Sequence, residues 1–572
     1  MTGLTCTSLI SVDIGTQHTR AWLFEAAEGI FRFTAGCKVP STFAGGGDVQ
    51  EGVWSALERL QVLSQRRLLD SEGHIIIHSQ THDVGVEQFV VSLSAGTLIK
   101  TALIGLADEA SVSSVRRLAS MFYTQESAVL SLKDGLDTAH QLEVLMRANP
   151  DLIILAGGSD GGACQPVMEV AENIRLAYNL LPRVHKPQIV YAGNSALTEK
   201  IAHCLNAGEN LHTAGNIQPE TGHEVLEVAW GAMLKAFEKI RFQQMPGLEE
   251  LLQRTDGRLL PGAYALGRMV KFLNRINQNN KGVMALDVGA GSTTVAAAKD
   301  GKLTSSVSQA VKSDALYEEV SKWSALPVDP QTTAVYINNK NLHPASMPAT
   351  LEDLAIEQAW TRIKLKYALR QTAQRYPEFE FHPDGGLSGV YEPIILSGAA
   401  LINAPTLGQT LLIALDALQP YGITTIVLDH DQLLPALGAA AAIDPLLSVQ
   451  ILDSNIFLNV GTVITVDSPA PEGSSVLMVE IRCGGDPVEE CEIHQGSLKR
   501  FDVKLGSQAS LHLSPTAETD VGMGRKGLGG WVSINGSALG VVIDARGRPM
   551  KLPMAAEKRS EMIKGWLWEL GG

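Results

Sequence analysis

"SLISVDIGTQHTRAWLFEAAEG", residues Ser8–Gly29, is an apolar strand that stops at Asp13-Ile14-Gly15-Thr16 and resumes as a second apolar run after Thr19-Arg20. Two apolar runs around a short polar corner read as a hairpin. A hairpin needs no second copy of itself, yet "GVMALDVGAGSTTVAAAKDGKL", Gly282–Leu303, restarts the pattern. Aligning Asp13 with Asp287 pairs Gly15 with Gly289 and Thr19 with Thr293 without a gap. One D-x-G-x-x-x-T is a common turn. Two in register point to a duplicated architecture.

The residue types in these corners suit phosphate. A tight turn between strands can aim backbone N–H groups and hydroxyls at phosphate oxygens. Glycine at Gly15, Gly289 and Gly291 removes the side chain that would block a close approach. The hydroxyls of Thr16, Thr19, Ser292, Thr293 and Thr294 can donate to those oxygens. Asp13 and Asp287, at the two strand ends, supply hard oxygen ligands for Mg²⁺, acting through water. Downstream, "YEPIILSGAAL" (Tyr391–Leu401) is a strand that runs into Ser397-Gly398, where a glycine lets backbone lie flat against a nucleoside. Taken alone, that element is equally an ordinary turn between strand and helix.

Length and composition bound the rest. A chain of 572 residues exceeds a single core, and three or four domains are expected. With 45% hydrophobic and 19% charged residues it is globular, and a formal charge of −15 argues against a nucleic-acid binder. Six scattered cysteines (Cys6, Cys37, Cys164, Cys204, Cys483 and Cys491) fit no common zinc spacing and read as reduced thiols. No leader-like start and no run of 18 apolar residues occurs, so no membrane contact and a cytoplasmic location are expected.

Along the chain, strands are expected at Leu9–Val12, Ala21–Phe24, Ile75–His78 and Gln88–Leu93, with a helix over Val53–Leu69. From Thr97 to about Phe242, strands alternate with helices. "DLIILAGGSDGG" (Asp151–Gly162) and "QIVYAGN" (Gln188–Asn194) each run from strand to glycine turn, as in βαβ units. Leu351–Arg375 and Pro405–Leu418 read as helices, Ile423–Asp429 as a strand, and Leu433–Ala442 as an Ala-rich helix. Beyond Leu447 helical periodicity fades into short strands with a basic flavour from Arg525, Lys526, Arg546, Arg548 and Lys551. The expected domains are 1–96, a first lobe (an ATPase lobe by the resemblance given next); 97–245, an inserted α/β domain; 246–447, a second such lobe; and 448–572, a C-terminal β domain.

The pair Asp13–Arg20 and Asp287–Thr294, with Ser397-Gly398-Ala399 downstream, resembles the two phosphate motifs and the adenosine motif of the actin/Hsp70/sugar-kinase ATPase superfamily. Within it, the stretches "VDIGTQHTR", "IILAGGSDGG", "IVYAGN", "NIQPETG", "ALDVGAGSTT" and "IILSGAA", in that order over about residues 8–445, are similar to the glutamate mutase L family (MutL, GlmL), which is unrelated to the mismatch-repair proteins of like name. The resemblance implies an α/β fold with two actin-like (ribonuclease H-like) lobes around a nucleotide cleft. It implies ATP and Mg²⁺ as ligands, with slow hydrolysis, and an adenosylcobalamin-dependent carbon-skeleton mutase as partner, served as a chaperone or reactivase. Homo-oligomers are open to such a chain.

Ala290 stands where many of the superfamily carry glycine, and no residue identifies itself as the one that orients an attacking water. Asp160 and Glu220 are candidates, although each reads more simply as a turn or cap residue. A dinucleotide site at the "GGSDGG" turn is not supported by spacing, and His74, His78 and His82 lie along a strand-like run unsuited to a shared metal. Two rival functions remain at this point. A small-molecule kinase needs an aspartate acting as base on a substrate hydroxyl. A non-catalytic scaffold needs only nucleotide binding.

Overall fold

A computed structural model describes residues 6–572 apart from 44–45, 80–82, 163, 182–185, 278, 310–312, 383–384, 453–455 and 484–488. The chain divides into two compact units, Met1–Ala265 with Pro435–Ser448, and Leu266–Leu434 with Val449–Gly572.

In the first unit, β1 (Ser8–Ile14), β2 (His18–Ala27) and β3 (Ile30–Pro40) form an antiparallel meander, and β4 (Gln88–Leu93) lies parallel to β1. All seven residues of β1 are buried, in the interior of the sheet between β2 and β4. The helix Val49–Ser64 starts where the Asp48 carboxylate accepts from the Gln50 N–H, and it ends at Gln65 in the left-handed region. It therefore stops five residues short of the expected Leu69. The strand expected at Ile75–His78 is also absent. That segment makes only the isolated bridges Leu69↔Ile75 and Ile77↔Val86. Three consecutive isoleucines give it strand propensity, but no neighbouring strand offers a continuous ladder.

The inserted sheet follows: β5 (Ile99–Gly105), β6 (Thr124–Ser131), β7 (Leu152–Leu155), β8 (Gln188–Tyr191) and β9 (Leu211–Thr213), all parallel in the order β6-β5-β7-β8-β9. Helices Thr138–Ala148, Gln165–Leu180 and Thr198–Leu205 make crossovers. Ile104, Ile153, Leu155, Ile174, Ile189 and Ile201 belong to a core of its own. The chain then returns as β10 (Arg258–Pro261) beside β4, which completes the order β3-β2-β1-β4-β10.

The second unit repeats that sheet. Its β11 (Gly282–Val288), β12 (Thr293–Lys299) and β13 (Lys302–Ser308) form a meander. After the long helix Leu351–Arg375 and a short ladder between β14 (Phe381–His382) and β15 (Gly386–Leu387), β16 (Tyr391–Ser397) joins β11 in parallel. β17 (Ile423–Leu428) then joins β16. The order β13-β12-β11-β16-β17 matches that of the first unit strand for strand and direction for direction. This is the duplicated α/β lobe that the resemblance implied.

The C-terminal part supplies β18 (Leu458–Thr465), β19 (Ser475–Cys483), β20 (Glu489–His494), β21 (Leu498–Phe501), β22 (Gln508–Pro515), β23 (Gly530–Asn535) and β24 (Val541–Asp544). Four of these form a separate sheet, β20-β19-β22-β23, while β18, β24 and β21 extend the lobe sheet beyond β17 to eight strands. Helical structure does not fade after residue 447, since Pro445–Leu452 and Ala556–Glu569 are helices. The basic character expected there also shrinks. Arg546 and Arg548 are spent on ion pairs with Asp544, and Arg546 also reaches Asp416, all with fully buried side chains. Among the described residues no helix is long and apolar enough to cross a membrane, and all six cysteines are free thiols.

Candidate functional site

The two hairpins share more than topology. Asp13 is paired across β1–β2 with Arg20 and across β1–β4 with Ser92. Asp287 holds the same register, paired with Thr294 on β12 and Ser397 on β16. Between the paired residues Ile14 and Thr19, and Val288 and Thr293, each turn has four residues, Gly15–His18 (His18 being already the first of β2) and Gly289–Ser292. Each is closed by the same bond, Gly15 N–H to the His18 carbonyl at 3.0 Å and Gly289 N–H to the Ser292 carbonyl at 2.9 Å. Among the described residues, the backbone N–H groups of Thr16 and Gln17 in one loop, and of Ala290 and Gly291 in the other, make no hydrogen bond. Each loop thus presents two adjacent free donors, the arrangement suited to an anion.

The aspartates differ in surroundings. Asp13 is buried, its Oδ1 accepting from the Ser92 hydroxyl at 2.9 Å and its Oδ2 ion-paired to Arg20 at 3.1 Å. Burial pushes its carboxyl upward, against the pull of Arg20 and Ser92. With both oxygens engaged, Asp13 suits a metal through water rather than directly. Asp287 is half-buried at the mouth of its strand. Three of the threonines expected as phosphate donors lie in strand ladders, Thr19 on β2 and both Thr293 and Thr294 on β12. Thr19 and Thr293 are buried, and the Thr19 hydroxyl lies 3.1 Å from that of Ser41. The hydroxyls left on the loops are those of exposed Thr16 and half-buried Ser292.

Ser397 is buried at the end of β16, and Gly398 follows with φ 100°, ψ 149°, a conformation essentially reserved for glycine. A Cβ on Gly398 would drive into the backbone of Val288, at the end of β11. The Ser397–Gly398 turn is therefore held tightly against the second hairpin.

Two further residues gather here. Asp429 continues the Asp287–Ser397 row, since Leu428 pairs with Leu396 and the Asp429 N–H donates to the Leu396 carbonyl at 2.9 Å. Its carboxylate accepts from the Leu433 and Leu434 N–H groups at 2.8 and 2.9 Å, and burial pushes its pKa up to about 7. A strand-ending aspartate was visible at the end of "ITTIVLD", but no motif attached a role to it. Lys364, in the helix Leu351–Arg375, places its Nζ 3.5 Å from the Gly289 carbonyl. Burial pushes its amine down to about 8, partly opposed by Glu357 and Asp287. Nothing in the sequence separates it from the other lysines of that helix.

The turns of the inserted sheet also converge. The Asp160 carboxylate accepts from the Ser195 N–H at 2.8 Å and from Asn216 at 3.0 Å, while its own N–H donates to the Pro219 carbonyl at 2.9 Å. The "GGSDGG", "YAGN" and "NIQPETG" turns thereby meet on one edge, and these bonds hold the Asp160 carboxyl low. Asp160 acts as a staple between turns, and Glu220 forms only an isolated bridge with His223. His74 faces Asp70 and Glu72 at 3.5 and 3.6 Å, and His82 lies outside the described residues. Among the described residues, no group of three or more His, Cys, Asp or Glu side chains could hold a metal ion.

A family model described as MutL protein matches residues 9–456, most of the chain and both hairpins. The chain belongs to the MutL family. A curated relative, Protein MutL of Clostridium tetanomorphum, is 25% identical over 221 residues, which is 38% of this MutL-family chain and 46% of that protein. The match therefore spans less than half of the relative's length. Solved structures with loose overlap include a diol dehydratase-reactivating factor in nucleotide-free form, at 12% identity and TM-score 0.30, covering 76% of this chain and 99% of that one. A glycerol dehydratase reactivase overlaps at 12% identity and TM-score 0.29, covering 71% and 94%. Overlaps this loose carry no functional weight.

The residues present fit the ligands that the sequence reading expected. Free N–H pairs on both loops, with the hydroxyls of exposed Thr16 and half-buried Ser292, are groups able to donate to phosphate oxygens. The carboxylates of Asp13 and Asp287, each at its own strand end, are hard oxygen groups of the kind Mg²⁺ takes.

Proposed function

We propose that this MutL-family chain binds ATP with Mg²⁺ and serves, in the cytoplasm, as an ATP-dependent accessory protein of an adenosylcobalamin-dependent carbon-skeleton mutase, acting as its chaperone or reactivase. The observation that carries the nucleotide half is the repeated row and loop: Asp13 beside Ser92, Asp287 beside Ser397, each ahead of a four-residue turn with two free donors. In this reading Gly15, Thr16 and the Thr16–Gln17 N–H groups hold phosphate oxygens at one loop. Gly289, Gly291, Ser292 and the Ala290–Gly291 N–H groups do so at the other. Ser397 and Gly398 support the nucleoside, while Asp13 and Asp287 order Mg²⁺ and its waters. Bound Mg²⁺ would neutralise phosphate charge. Thr19 and Thr293 serve the hairpins themselves, fixing the register that points the loops. The mutase half rests on family membership.

The test has two arms. Calorimetric titration of ATP, with and without Mg²⁺, should show Asp13→Ala and Asp287→Ala each losing affinity and losing the Mg²⁺ dependence. If both variants bind as the wild type does, the site assignment is wrong. Co-purification from cells expressing a cobalamin-dependent mutase should retain the mutase in a nucleotide-dependent way. Phosphate transfer to an added sugar would instead favour a kinase.

A further inference from the structure

We propose that Lys364 is a phosphate-binding residue of the second loop, its amine moving from the Gly289 carbonyl onto a phosphate oxygen of a nucleoside di- or triphosphate. The proposal rests on the nucleotide reading given above and adds a residue that no motif marks. Lys364 projects from the middle of the helix Leu351–Arg375, which packs against β11, β12 and β13. A lysine amine carries three donors. Here one of them makes a 3.5 Å contact with the Gly289 carbonyl, at the outer limit of a hydrogen bond. The Trp360 ring, one turn earlier, stands 5.9 Å from the nitrogen. No carboxylate lies within 4 Å of it among the described residues.

The neighbouring anion does not satisfy it. Glu357, two turns before Lys364 on the same helix, is taken by others: Lys340 stands 3.0 Å from Oε1 and the Tyr336 hydroxyl donates to Oε2 at 2.6 Å. Asp287 acts on Lys364 only as a nearby charge. A half-buried cation with unspent donors thus lies beside a loop whose Ala290 and Gly291 N–H groups are also unspent. Positive charge and free donors of this number complement a phosphate group, whose oxygens accept from several partners at once. An uncharged nucleoside offers Lys364 nothing comparable.

The experiment compares ATP, ADP and adenosine binding by calorimetry, with adenosine measured by competition if weak. Lys364→Met keeps the stem and removes the charge, Lys364→Gln is a second neutral variant, and Lys364→Arg restores the charge. A charge-assisted hydrogen bond lost from the site should weaken ATP and ADP by about 10–100-fold. Adenosine affinity should stay unchanged in the neutral variants, and Arg should recover part of the phosphate affinity. Equal weakening of adenosine and ATP would mean that Lys364 only supports the fold. Undiminished ATP affinity in both neutral variants would also overturn the proposal while leaving the loop reading intact. Failure of the wild type to bind any nucleotide would overturn both.

Discussion

At the scale of single residues, two glycines of the second unit make opposite demands. Gly398 sits at φ 100° with its missing Cβ facing the Val288 backbone, so the fold itself requires it. Gly291 has no heavy atom within 4 Å of a built Cβ and no left-handed backbone, so packing does not require it. Gly398→Ala is therefore expected to destabilise by about 3 kcal/mol, from an unfavourable backbone conformation plus a clash that must be relieved. Gly291→Ala should stay within about 0.5 kcal/mol, as a surface substitution does. Urea unfolding followed by circular dichroism separates the two. If Gly291 serves close approach of phosphate, its alanine variant loses ATP affinity without losing stability. An unchanged affinity would show that the loop does not need that glycine for a ligand. The aspartate pair was legible in the linear sequence because strand, Asp and Gly keep a fixed local spacing. Lys364 was not, because one more lysine on a helix looks like a solvated face until the helix is docked. Thr19 and Thr293 were legible as hydroxyls but not as ladder residues, since spacing does not tell which side of a turn a side chain faces.

At the scale of elements, Asp429 joins a strand to a helix. It follows β17 and accepts from the first N–H groups of the helix Leu433–Ala440. Such bonds favour the charged carboxylate, yet burial dominates and its folded pKa rises to about 7. An acid with a raised folded pKa contributes stability that is fully present below its unfolded value, near 3.9, and that is lost as pH rises through about 7. Asp429→Asn keeps one acceptor for the helix and cannot titrate. The stability advantage of the wild type over this variant should therefore shrink steadily between pH 4 and pH 8 in urea titrations. A constant difference across that range would show that Asp429 does not change its charge there. Helices and strands with regular periodicity, such as Leu351–Arg375 and β16, were legible in the sequence. The Ile75–Ile77 run was not, because strand structure needs a partner that only the fold supplies. The helix Ala556–Glu569 escaped notice because it mixes apolar and charged residues on a mostly polar background, with Gly565 in its middle.

At the scale of the whole chain, the eight-stranded sheet ties the C-terminal part to the lobe that precedes it. β18 pairs antiparallel with β17, and β24 pairs parallel with β18, so residues beyond 448 cover what would otherwise be an open sheet edge. Val460, Val463, Leu498, Val542, Ile563 and Trp566 share one apolar core with Met284, Leu286, Leu396 and Leu415. Arg546 reaches back to Asp416 at 2.7 Å, and Arg362 holds the other Asp416 oxygen at 2.7 Å, in a network with no solvent exposure of either Asp416 or Arg546 side chains. Removing one member of a buried pair costs about 3–5 kcal/mol, because the remaining charge loses its partner. Exposing the β17 edge adds an aggregation hazard. A chain ending at residue 448 is therefore expected to be insoluble, or to lack a cooperative thermal transition for the second lobe, even though every loop of the candidate site would be retained. A monodisperse 1–448 fragment that melts cooperatively would mean that the C-terminal part is an independent domain. If the last 124 residues are structural completions of the lobe that carries Asp287, Lys364 and Gly398, then ATP affinity and C-terminal integrity fail together. Small substitutions on the exposed face of the separate four-stranded sheet, such as Trp531→Ala, should then leave ATP affinity untouched, since that sheet lies outside the extended one.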